Sequence, residues 1–377
     1  MISILFVLPK TTLGGTEMQM LYLLKNIDKT KFDVYLVILY ENSQLKKEFY
    51  ALKDVTVLQF SKKCKFNIII YFKIYQFIKK NNIKIISTFL GNHHSYIPAL
   101  FSNNCIAIGG IRNTYQSKLS IFGTILRSKM LRILTSIDKF YFISNSNLGR
   151  NIYTSLGIPK NSLYVIPNGI DVPKFQKGNR TKILNELKLK NKIVLGMVAR
   201  LIKCKNHEAL IQMFHEIQNE NEKLLLCLLL VGDGDQMKHL VNLVYSLGLQ
   251  EKVIFTGLRK DVADLLSAMD IFVFPTLCLE GWPNAIGEAM ASGLPIISYP
   301  AGDISTIITS NYNGIITKPN MKSFKEATLA IMKNTDLMKQ LGENARRSVE
   351  SKYGIKTMVK NYEKLYTQLI SVRGGGP

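Results

Sequence analysis

Short apolar runs alternate with longer amphipathic stretches along the whole chain. Each run has the length of a buried strand, and the stretches between them have apolar residues at helical spacing. This alternation is typical of α/β domains built on parallel sheets. The pattern predicts strands at residues 2–8, 33–39, 55–59, 83–88, 105–110 and 137–143, and then at residues 193–198, 224–231, 253–255, 271–274, 295–298 and 314–316.

The two series of strands are separated by a turn-rich connector, residues 166–173, which contains two prolines and an Asn-Gly pair. The chain has 377 residues, more than the ~250–300 at which a single hydrophobic core stops growing. We therefore expect an N-terminal domain of residues 1–172 and a C-terminal domain of residues 173–352. Residues 353–373 carry apolar side chains at helical spacing and predict one final helix.

The net charge of +22 is concentrated in the first half of the chain, with +15 over residues 1–175 and +7 over the remainder. No acidic residue occurs between Asp54 and Asp138, where Lys and Arg alternate with Phe and Tyr. This mixture favours attraction to an anionic membrane surface, with each basic residue contributing on the order of 1 kcal/mol. Nucleic acid could use the same charge, and a solvated basic surface over an aromatic core is the plainer alternative. We expect the membrane surface as partner and no nucleic acid.

The longest apolar run, residues 224–231, is far shorter than the ~18 residues that suggest a membrane span. The first eight residues lack the basic region and cleavage site of a signal peptide and predict a buried strand instead. We therefore expect a cytoplasmic protein that lies peripherally on the inner face of the cytoplasmic membrane.

The five cysteines are widely spaced and form no C-x-x-C pair. They are Cys64, Cys105, Cys204, Cys227 and Cys278. This spacing predicts reduced thiols and argues against disulfides or zinc sites. Cys204 stands beside a candidate functional lysine, but no base–nucleophile pair lies near it in the sequence, and we expect no chemical role for it.

Two carboxylates flank a Gly/Pro/Asn-rich turn at residues 280–288, which read Glu-Gly-Trp-Pro-Asn-Ala-Ile-Gly-Glu. The turn predicts a helix start, where unpaired N–H groups and a partial positive charge favour oxygen-rich or anionic ligands. Glu288 falls about one helical turn beyond Asn284, and Glu280 precedes the turn. In the plainer alternative, Asn284 caps the helix and both Glu side chains are solvated. Two acceptors at one rim suit a polyhydroxylated ligand.

Two further loops follow predicted strands, at the sheet edge where open α/β sheets bind ligands. Arg200 and Lys205 come after the strand at 193–198 and combine a bidentate fork with a point charge, which suits a diphosphate. Gly14 and Gly15 follow the first strand and let the backbone approach a ligand at a helix N-terminus. Their spacing does not fit the G-x-G-x-x-G pattern of dinucleotide-binding enzymes.

Asp233 and Asp235 are spaced like a divalent-metal motif. They lie in a Gly-rich turn between a predicted strand and a predicted helix, where Asp235 is placed to act as an N-cap. We predict no catalytic metal and no cofactor.

Together these segments resemble family 4 of the retaining GT-B glycosyltransferases. The matching segments are Glu280-x7-Glu288, the run Arg-Leu-Ile-Lys-Cys-Lys-Asn at 200–206, Val-Gly-Asp-Gly at 231–234, Phe-Thr-Gly at 255–257 and Ala-Met-Ala-Ser-Gly at 289–293. The resemblance implies two Rossmann-like parallel-sheet domains that face a central cleft, with the C-terminal helix crossing back to the N-terminal domain. It also implies transfer of a hexose or N-acetylhexosamine from a nucleotide sugar, with UDP as the expected nucleotide, and retention of configuration.

The resemblance further implies a role for each matching residue. Arg200 and Lys205 would neutralise the departing nucleoside diphosphate, Glu280 would hold hydroxyls of the transferred sugar, and Glu288 would accept both ribose hydroxyls. The turn expected to assist at the sugar consists of Gly281, Trp282, Pro283, Asn284, Ala285 and Ile286. Further contacts are expected at the donor diphosphate from Gly14, Gly15 and Thr16, and at the nucleobase from Leu258 and Arg259. Val231 and Gly232 are also expected to bind substrate.

One position departs from the family pattern. Many members carry a His after the fifth N-terminal strand, where this chain has Arg112 and Asn113. We expect Arg112 or Asn113 to contact phosphate or acceptor, and Asn145, at the end of the sixth predicted strand, to point toward the cleft. His93 and His94 could supply an imidazole, or they could form a solvated loop.

The sequence thus predicts a glycosyltransferase whose basic N-terminal domain binds the acceptor. The charge and the resemblance favour a lipid diphosphate-linked glycan, as in the assembly of O-antigen, capsule or another surface polysaccharide. One alternative is a nucleotide-sugar epimerase or hydrolase on the same fold. The other is a non-catalytic basic protein that binds membrane or nucleic acid.

Overall fold

A computed structural model describes residues 1–11, 14–40, 45–60, 68–89, 93–112, 132–137 and 139–373. The chain forms two compact units. The N-terminal unit comprises Met1–Gly169 and the helix that begins at Ile355, and the C-terminal unit is Ile170–Gly354. The sequence-based domains divide at residues 172 and 352, close to these two points.

The N-terminal unit begins with alternating strands and helices. Its strands are β1 (Ile2–Leu8), β2 (Phe32–Ile38), β3 (Val55–Gln59), β4 (Ile85–Thr88), β5 (Ile106–Ile111), β6 (Phe140–Ser144) and β7 (Leu163–Val165). Its helices include α1 (Gly15–Asn26), α2 (Lys46–Tyr50), α3 (Ile68–Lys80), α4 (His93–Leu100) and α5 (Asn147–Ser155), and a 3₁₀ turn lies at Lys160–Ser162.

The C-terminal unit repeats the alternation. Its strands are β8 (Ile193–Val198), β9 (Leu226–Val231), β10 (Val253–Phe255), β11 (Ile271–Phe274), β12 (Ile296–Ser298) and β13 (Ile315–Ile316). Its helices are α6 (Val172–Gln176), α7 (Arg180–Glu186), α8 (His207–Glu220), α9 (Met237–Ser246), α10 (Val262–Ser267), α11 (Asn284–Ala291), α12 (Ile304–Ile307), α13 (Met321–Met332) and α14 (Thr335–Lys352), with a 3₁₀ turn at Lys203–Lys205. The chain then returns to the N-terminal unit as α15 (Ile355–Arg373).

Both sheets are parallel and reverse their strand order once. The order is β3-β2-β1-β4-β5-β6-β7 in the N-terminal unit and β10-β9-β8-β11-β12-β13 in the C-terminal unit. The reversal therefore falls between β1 and β4 in one sheet and between β8 and β11 in the other. Ligands of open α/β sheets bind outside the carboxyl ends of the strands at such a point.

The central strands are buried on both faces because helices cover each sheet, which explains their nearly continuous apolar sequences. Strands β4, β9 and β11 are buried along their whole length. The predicted α/β class with two parallel-sheet, Rossmann-like units is confirmed. Strand β7 was not predicted, because three residues, Leu-Tyr-Val, give too short an apolar run to separate from the turns around them.

The last helix packs into the core of the N-terminal unit. Tyr362 and Tyr366 on α15 are fully buried, and the Tyr366 ring makes edge contacts with Phe6 and Phe32. Because these side chains join the core formed by β1 and α1, the predicted return of the C-terminal helix to the N-terminal domain is confirmed. Among the described helices, none is both long enough and apolar enough to cross a membrane.

Candidate functional site

The reversal point of the C-terminal sheet carries two loops with complementary charges. After β8, Arg200 is exposed, and Lys203–Lys205 form a 3₁₀ turn. Asn206 then adopts a left-handed conformation (φ 65°) that lets α8 start at His207. After β11, the chain runs without a regular helix or strand until α11 begins at Asn284. Because β8 and β11 are neighbours in the sheet, the two loops lie side by side.

Lys205 and Glu280 form an ion pair between these loops. Both side chains are largely buried, with 12% and 15% of their surface exposed. The Lys205 ammonium also lies 5.0 Å from the centre of the Phe274 ring, and Thr276 Oγ1 donates to Glu280 Oε1 at 3.3 Å. An ammonium and a carboxylate are thus held next to each other at the sheet edge, and each keeps capacity for a phosphate oxygen or a hydroxyl group.

The backbone of Glu280 is fixed by the segment that follows β12. The Asp303 N–H donates to the Glu280 carbonyl at 2.8 Å, and Gly302 forms a bridge with Glu280. Gly302 has φ 67°, and a Cβ there would overlap the Glu280 carbonyl. Neither Thr276 nor Gly302 is predicted from the sequence. A Gly-Asp pair four positions after the predicted strand at 295–298 was the available signal for Gly302.

Glu288 lies on α11 and is half-buried. Loss of solvation raises the pKa of its carboxyl group to about 7, and the positive charge of Lys174 only partly opposes this rise. A carboxyl group with a pKa near neutral, beyond the carboxyl ends of the strands of a parallel sheet, is typical of a ligand-binding position.

The turn between the two glutamates is mostly buried. Trp282 is buried and packs on the Tyr353 ring, with 4.4 Å between ring centres. Ile286 is part of the core. Gly281 and Pro283 are buried, Pro283 directly precedes α11, and Asn284 and Ala285, which open that helix, are half-buried. The predicted assistance of this turn at a sugar stays a prediction.

Within the described residues, the indole Nε1 of Trp282 has no hydrogen-bond partner. His207 is similar, because neither of its ring nitrogens has a partner there. Burial, together with the charge of Lys205, lowers the pKa of His207 to about 4. The imidazole is therefore neutral and adds no second positive charge beside Lys205.

The loops after β9 and β10 pack against the loop after β8. Val231 is buried at the end of β9, and the Gly232 N–H donates to the Gly257 carbonyl at 3.0 Å. A Cβ at Gly232 would overlap the carbonyl of Ala199, so the close approach of these loops requires glycine. The candidate substrate contacts at 231 and 232 thus adjoin the loop that leads to Arg200.

Of the two residues expected at the nucleobase, Leu258 is highly exposed. Arg259 donates to Asp261 and to Glu186, each at 2.7 Å at the closest. Its guanidinium thus has protein partners, and a nucleobase contact from Arg259 stays a prediction. The N-cap prediction for Asp235 is wrong, because α9 begins at Met237 after Gln236 and no side chain caps it.

In the N-terminal unit, Gly14 directly precedes α1, and Gly15 and Thr16 form its first residues. A Cβ at Gly14 would overlap the Glu17 carboxylate, so a larger residue there would require that side chain to move. Asn145 is buried after β6, and its N–H donates to the Ile111 carbonyl at 3.3 Å. The roles predicted for these four residues stay predictions.

Arg112 follows β5 and is held by partners of its own unit. Its guanidinium donates to Asn168 Oδ1 and to the hydroxyl of Tyr362 on α15, and it lies 4.4 Å from the centre of the Phe89 ring. These contacts indicate that Arg112 ties β5 to the last helix, and its predicted contact with phosphate or acceptor stays a prediction. Asn113 and the side chains of His93 and His94 lie outside the described residues.

The expectation of reduced cysteines is wrong for one pair, since Cys204 and Cys278 form a disulfide. The two residues are 74 positions apart, and only the adjacency of β8 and β11 brings their loops together. Cys105 and Cys227 are buried and are not disulfide-bonded within the described residues, and Cys64 lies outside those residues. In the part of the chain that the structure describes, no group of three or more His, Cys, Asp or Glu side chains could hold a metal ion. The predicted absence of a catalytic metal stays a prediction.

Two family descriptions match successive parts of the chain. Glycosyltransferase Family 4 matches residues 13–174, and Glycosyl transferases group 1 matches residues 179–348. The chain belongs to glycosyltransferase family 4, with the GT-B fold. The two matched regions correspond to the two parallel-sheet units, and the second contains Arg200, Lys205, Glu280 and Glu288.

Curated relatives are similar over part of their length. An uncharacterised glycosyltransferase of Methanocaldococcus jannaschii is 27% identical over 69% of this chain and 66% of its own. The UDP-Gal:alpha-D-GlcNAc-diphosphoundecaprenol alpha-1,3-galactosyltransferase of Escherichia coli is 29% identical over 55% of this chain and 54% of its own. The chain thus matches between about half and two thirds of the length of these relatives.

Solved structures share the fold over nearly the whole chain. Anabaena HepE in complex with UDP has a TM-score of 0.81 at 18% identity, covering 97% of this chain and 100% of its own. A glycosyltransferase from Rickettsia africae has a TM-score of 0.82 at 18% identity, covering 98% of both chains. At this identity the likeness shows the fold alone.

Proposed function

We propose that the protein is a retaining, metal-independent glycosyltransferase that moves a hexose or N-acetylhexosamine from a UDP-sugar to a lipid diphosphate-linked glycan. The observation that carries this proposal is the Lys205–Glu280 ion pair at the β8/β11 reversal point. Lys205 and the exposed Arg200 supply positive charge for a diphosphate, and Glu280 supplies an acceptor for sugar hydroxyls. Glu288 on α11 supplies a second acceptor for the ribose.

The chemistry follows from these groups. The bond between the anomeric carbon and the β-phosphate oxygen breaks, and the acceptor hydroxyl oxygen bonds to the same carbon from the same face. The acceptor proton passes to an oxygen of the departing phosphate, so no protein base is required. Charge builds up on the leaving diphosphate, and the cations at 200 and 205 stabilise that charge in the transition state.

The comparisons support UDP and a lipid-linked acceptor. The E. coli relative is named for transfer from UDP-Gal to a GlcNAc diphosphoundecaprenol, and the Anabaena structure holds UDP. Another relative, from Staphylococcus aureus, is named a capsular polysaccharide biosynthesis glycosyltransferase and is 28% identical over 61% of this chain and 62% of its own. The corresponding biological role for this protein is the assembly of an O-antigen, lipopolysaccharide or capsule.

The donor claim is tested by thermal unfolding with UDP, GDP or ADP in the presence of EDTA. A ligand at a hundred times its dissociation constant adds about 2.7 kcal/mol, enough to shift the melting temperature by a few degrees. We expect UDP to stabilise the wild type and not Glu288→Ala, with Glu343→Ala on the surface of α14 as the matched control. Stabilisation by GDP or ADP alone would mean that the donor carries that nucleotide and not UDP. If none of the three nucleotides stabilised the protein, the proposed donor site would be refuted.

The proposed membrane surface lies on α3 and the end of α4. Ile69 and Phe72 are 60% and 55% exposed on α3, and Ile68 and Phe101 are also exposed. The Tyr75 ring contacts the Phe101 ring, with 6.4 Å between centres, and therefore links the two helices.

Basic residues complete this surface. Lys73, Lys79 and Lys80 are exposed on the same helix, and the Lys79 ammonium lies 5.3 Å from the centre of the Tyr75 ring. The sequence holds no acidic residue from 55 to 137. Apolar side chains surrounded by lysines suit the interface of an anionic bilayer on the cytoplasmic side of the membrane.

Sedimentation with vesicles tests this surface. We expect the wild type to bind vesicles of phosphatidylglycerol at low salt, and binding to fall when Ile69 and Phe72 are both changed to Ser. The matched control changes Leu225 and Tyr245, which are equally exposed at 60% and 63% in the C-terminal unit. The proposed membrane surface would be refuted if vesicle binding fell equally in the Ile69/Phe72 variant and in the Leu225/Tyr245 control, or if the wild type did not bind vesicles.

A further inference from the structure

We propose that the Cys204–Cys278 disulfide is a reversible redox modification that sets the affinity of the site for the donor diphosphate. This inference rests on the proposed function, because it concerns the same ion pair. Cys204 directly precedes Lys205, and Cys278 lies two positions before Glu280. The bond therefore joins the two loops that carry the phosphate-binding ammonium and the sugar-binding carboxylate.

The loops are close even apart from the bond. The carbonyl of Cys204 accepts from the Leu277 N–H at 2.8 Å, and it shares the single hydroxyl proton of Thr276, whose Oγ1 is 3.4 Å away, with Glu280 Oε1. The Cα atoms of the two cysteines are 5.2 Å apart, a separation usual for disulfides. Because these hydrogen bonds do not depend on the sulfur atoms, we expect the reduced thiols to stay near each other and to be able to form the bond again.

Among the described cysteines, this pair is the more accessible to thiol–disulfide exchange because it is partly exposed. Cys204 and Cys278 are half-buried and thus partly exposed, within reach of a small reagent. Cys105 and Cys227 are buried, and burial raises the pKa of the Cys227 thiol to about 12, which keeps it protonated. Lys203 and Lys205 flank Cys204, and cations beside a cysteine stabilise the thiolate that takes part in exchange.

The exchange needs a small disulfide as oxidant and proceeds in two steps. A thiolate of the pair attacks one sulfur of the small disulfide, forms a mixed disulfide and releases one small thiolate. The second cysteine thiolate then attacks the protein sulfur, forms the Cys204–Cys278 bond and releases the other small thiolate. The protein loses two electrons, the small disulfide gains them, and the protons of the two thiols pass to solvent or to the released thiolates.

The bond affects the site by limiting the freedom of its loops. Residues 275–279 have no regular helix or strand, and residues 203–205 form a single 3₁₀ turn. Fixing both loops before a ligand arrives reduces the entropy lost on binding. The oxidised protein should therefore bind UDP more tightly than the reduced protein. UMP lacks the second phosphate, and its ribose is expected at Glu288, on a helix that starts beyond the linked loops. The affinity for UMP should therefore differ much less between the oxidised and the reduced protein.

The test uses the full chain in glutathione buffers of increasing oxidising strength. Thiols that remain are alkylated and located by mass spectrometry, and the same samples are titrated calorimetrically with UDP and with UMP. We expect Cys204 and Cys278 to lose alkylation together, and UDP affinity to rise several-fold as they do. In Cys278→Ser, UDP affinity should match the reduced wild type in every buffer.

Two outcomes would overturn the redox proposal alone. One is alkylation of Cys204 and Cys278 under all oxidising conditions, and the other is equal UDP affinity with the bond formed and broken. If UDP binds neither form, the proposed function fails and the redox effect on binding fails with it, while the alkylation pattern still reports whether the bond forms.

Discussion

The two sheets reverse their strand order in the same way, yet the cations beyond their strands have different partners. In the N-terminal unit, Arg112 is bound by Asn168 and by the buried Tyr362 of the last helix. In the C-terminal unit, Lys205 pairs with Glu280 between two loops. Asn168 and the buried Tyr362 hydroxyl hold the Arg112 guanidinium in place within the N-terminal unit. In the C-terminal unit, Lys205 can exchange Glu280 for a phosphate oxygen, and Glu280 can exchange Lys205 for a sugar hydroxyl.

The largest effect is expected from Lys205→Met, which removes positive charge at the leaving diphosphate. Loss of one such electrostatic contact lowers kcat by about 10²–10³-fold. The matched control is Lys203→Met, since Lys203 is exposed in the same 3₁₀ turn. The measurement is the rate of UDP release from a UDP-sugar in the presence of acceptor. Equal losses in both variants would show that only the overall charge of the turn matters.

Arg112→Met tests the other side of the comparison. The variant removes the charged donor that binds Asn168 and Tyr362, and a hydrogen bond to a charged group contributes about 1.5–3 kcal/mol. We expect a lower free energy of unfolding in urea and an unchanged kcat. A loss of kcat without a loss of stability would instead favour the contact with phosphate or acceptor that the sequence predicts for Arg112.

Glu288→Gln separates stability from binding. Folding raises the pKa of the Glu288 carboxyl group from 4.5 to about 7. The contribution of this group to the free energy of unfolding is therefore fully present below pH 4.5 and is lost as the pH rises through about 7. The Gln variant lacks this loss, so its stability relative to the wild type should rise between pH 5 and pH 8. Urea unfolding at both pH values measures the change.

The same variant should bind UDP more weakly at pH 8, because the amide replaces charge-assisted hydrogen bonds to the ribose. Higher stability with weaker binding is the expected signature of a functional residue. If the stability of the variant relative to the wild type did not rise between pH 5 and pH 8, the raised pKa would be contradicted.

The smallest effect is expected from Arg259→Ala. Its ion pairs with Glu186 and Asp261 are partly exposed, and solvent and salt screen such pairs so that they contribute little to stability. We expect a slightly lower melting temperature and the same affinity for UDP. A marked loss of UDP affinity with little change in melting temperature would instead support the predicted nucleobase contact.

The sequence predicts what depends on local pattern. Buried parallel strands such as β8 and β11 have continuous apolar runs, and the Glu280–Glu288 spacing with its turn is visible without a structure. What depends on spatial adjacency of distant segments is hidden in the sequence. The Cys204–Cys278 bond, the support of Glu280 by Thr276 and Gly302, and the contact of Arg112 with Tyr362 all require the strand order or the packing of the last helix.

Calorimetric titration with UDP in EDTA tests most directly whether the donor site lies in the C-terminal unit. The proteins compared are the wild type, Lys205→Met and Arg112→Met. The account predicts metal-free binding by the wild type, binding at least about tenfold weaker in Lys205→Met, as one lost charged contact implies, and unchanged affinity in Arg112→Met. Loss of UDP binding in Arg112→Met with full affinity in Lys205→Met would contradict it.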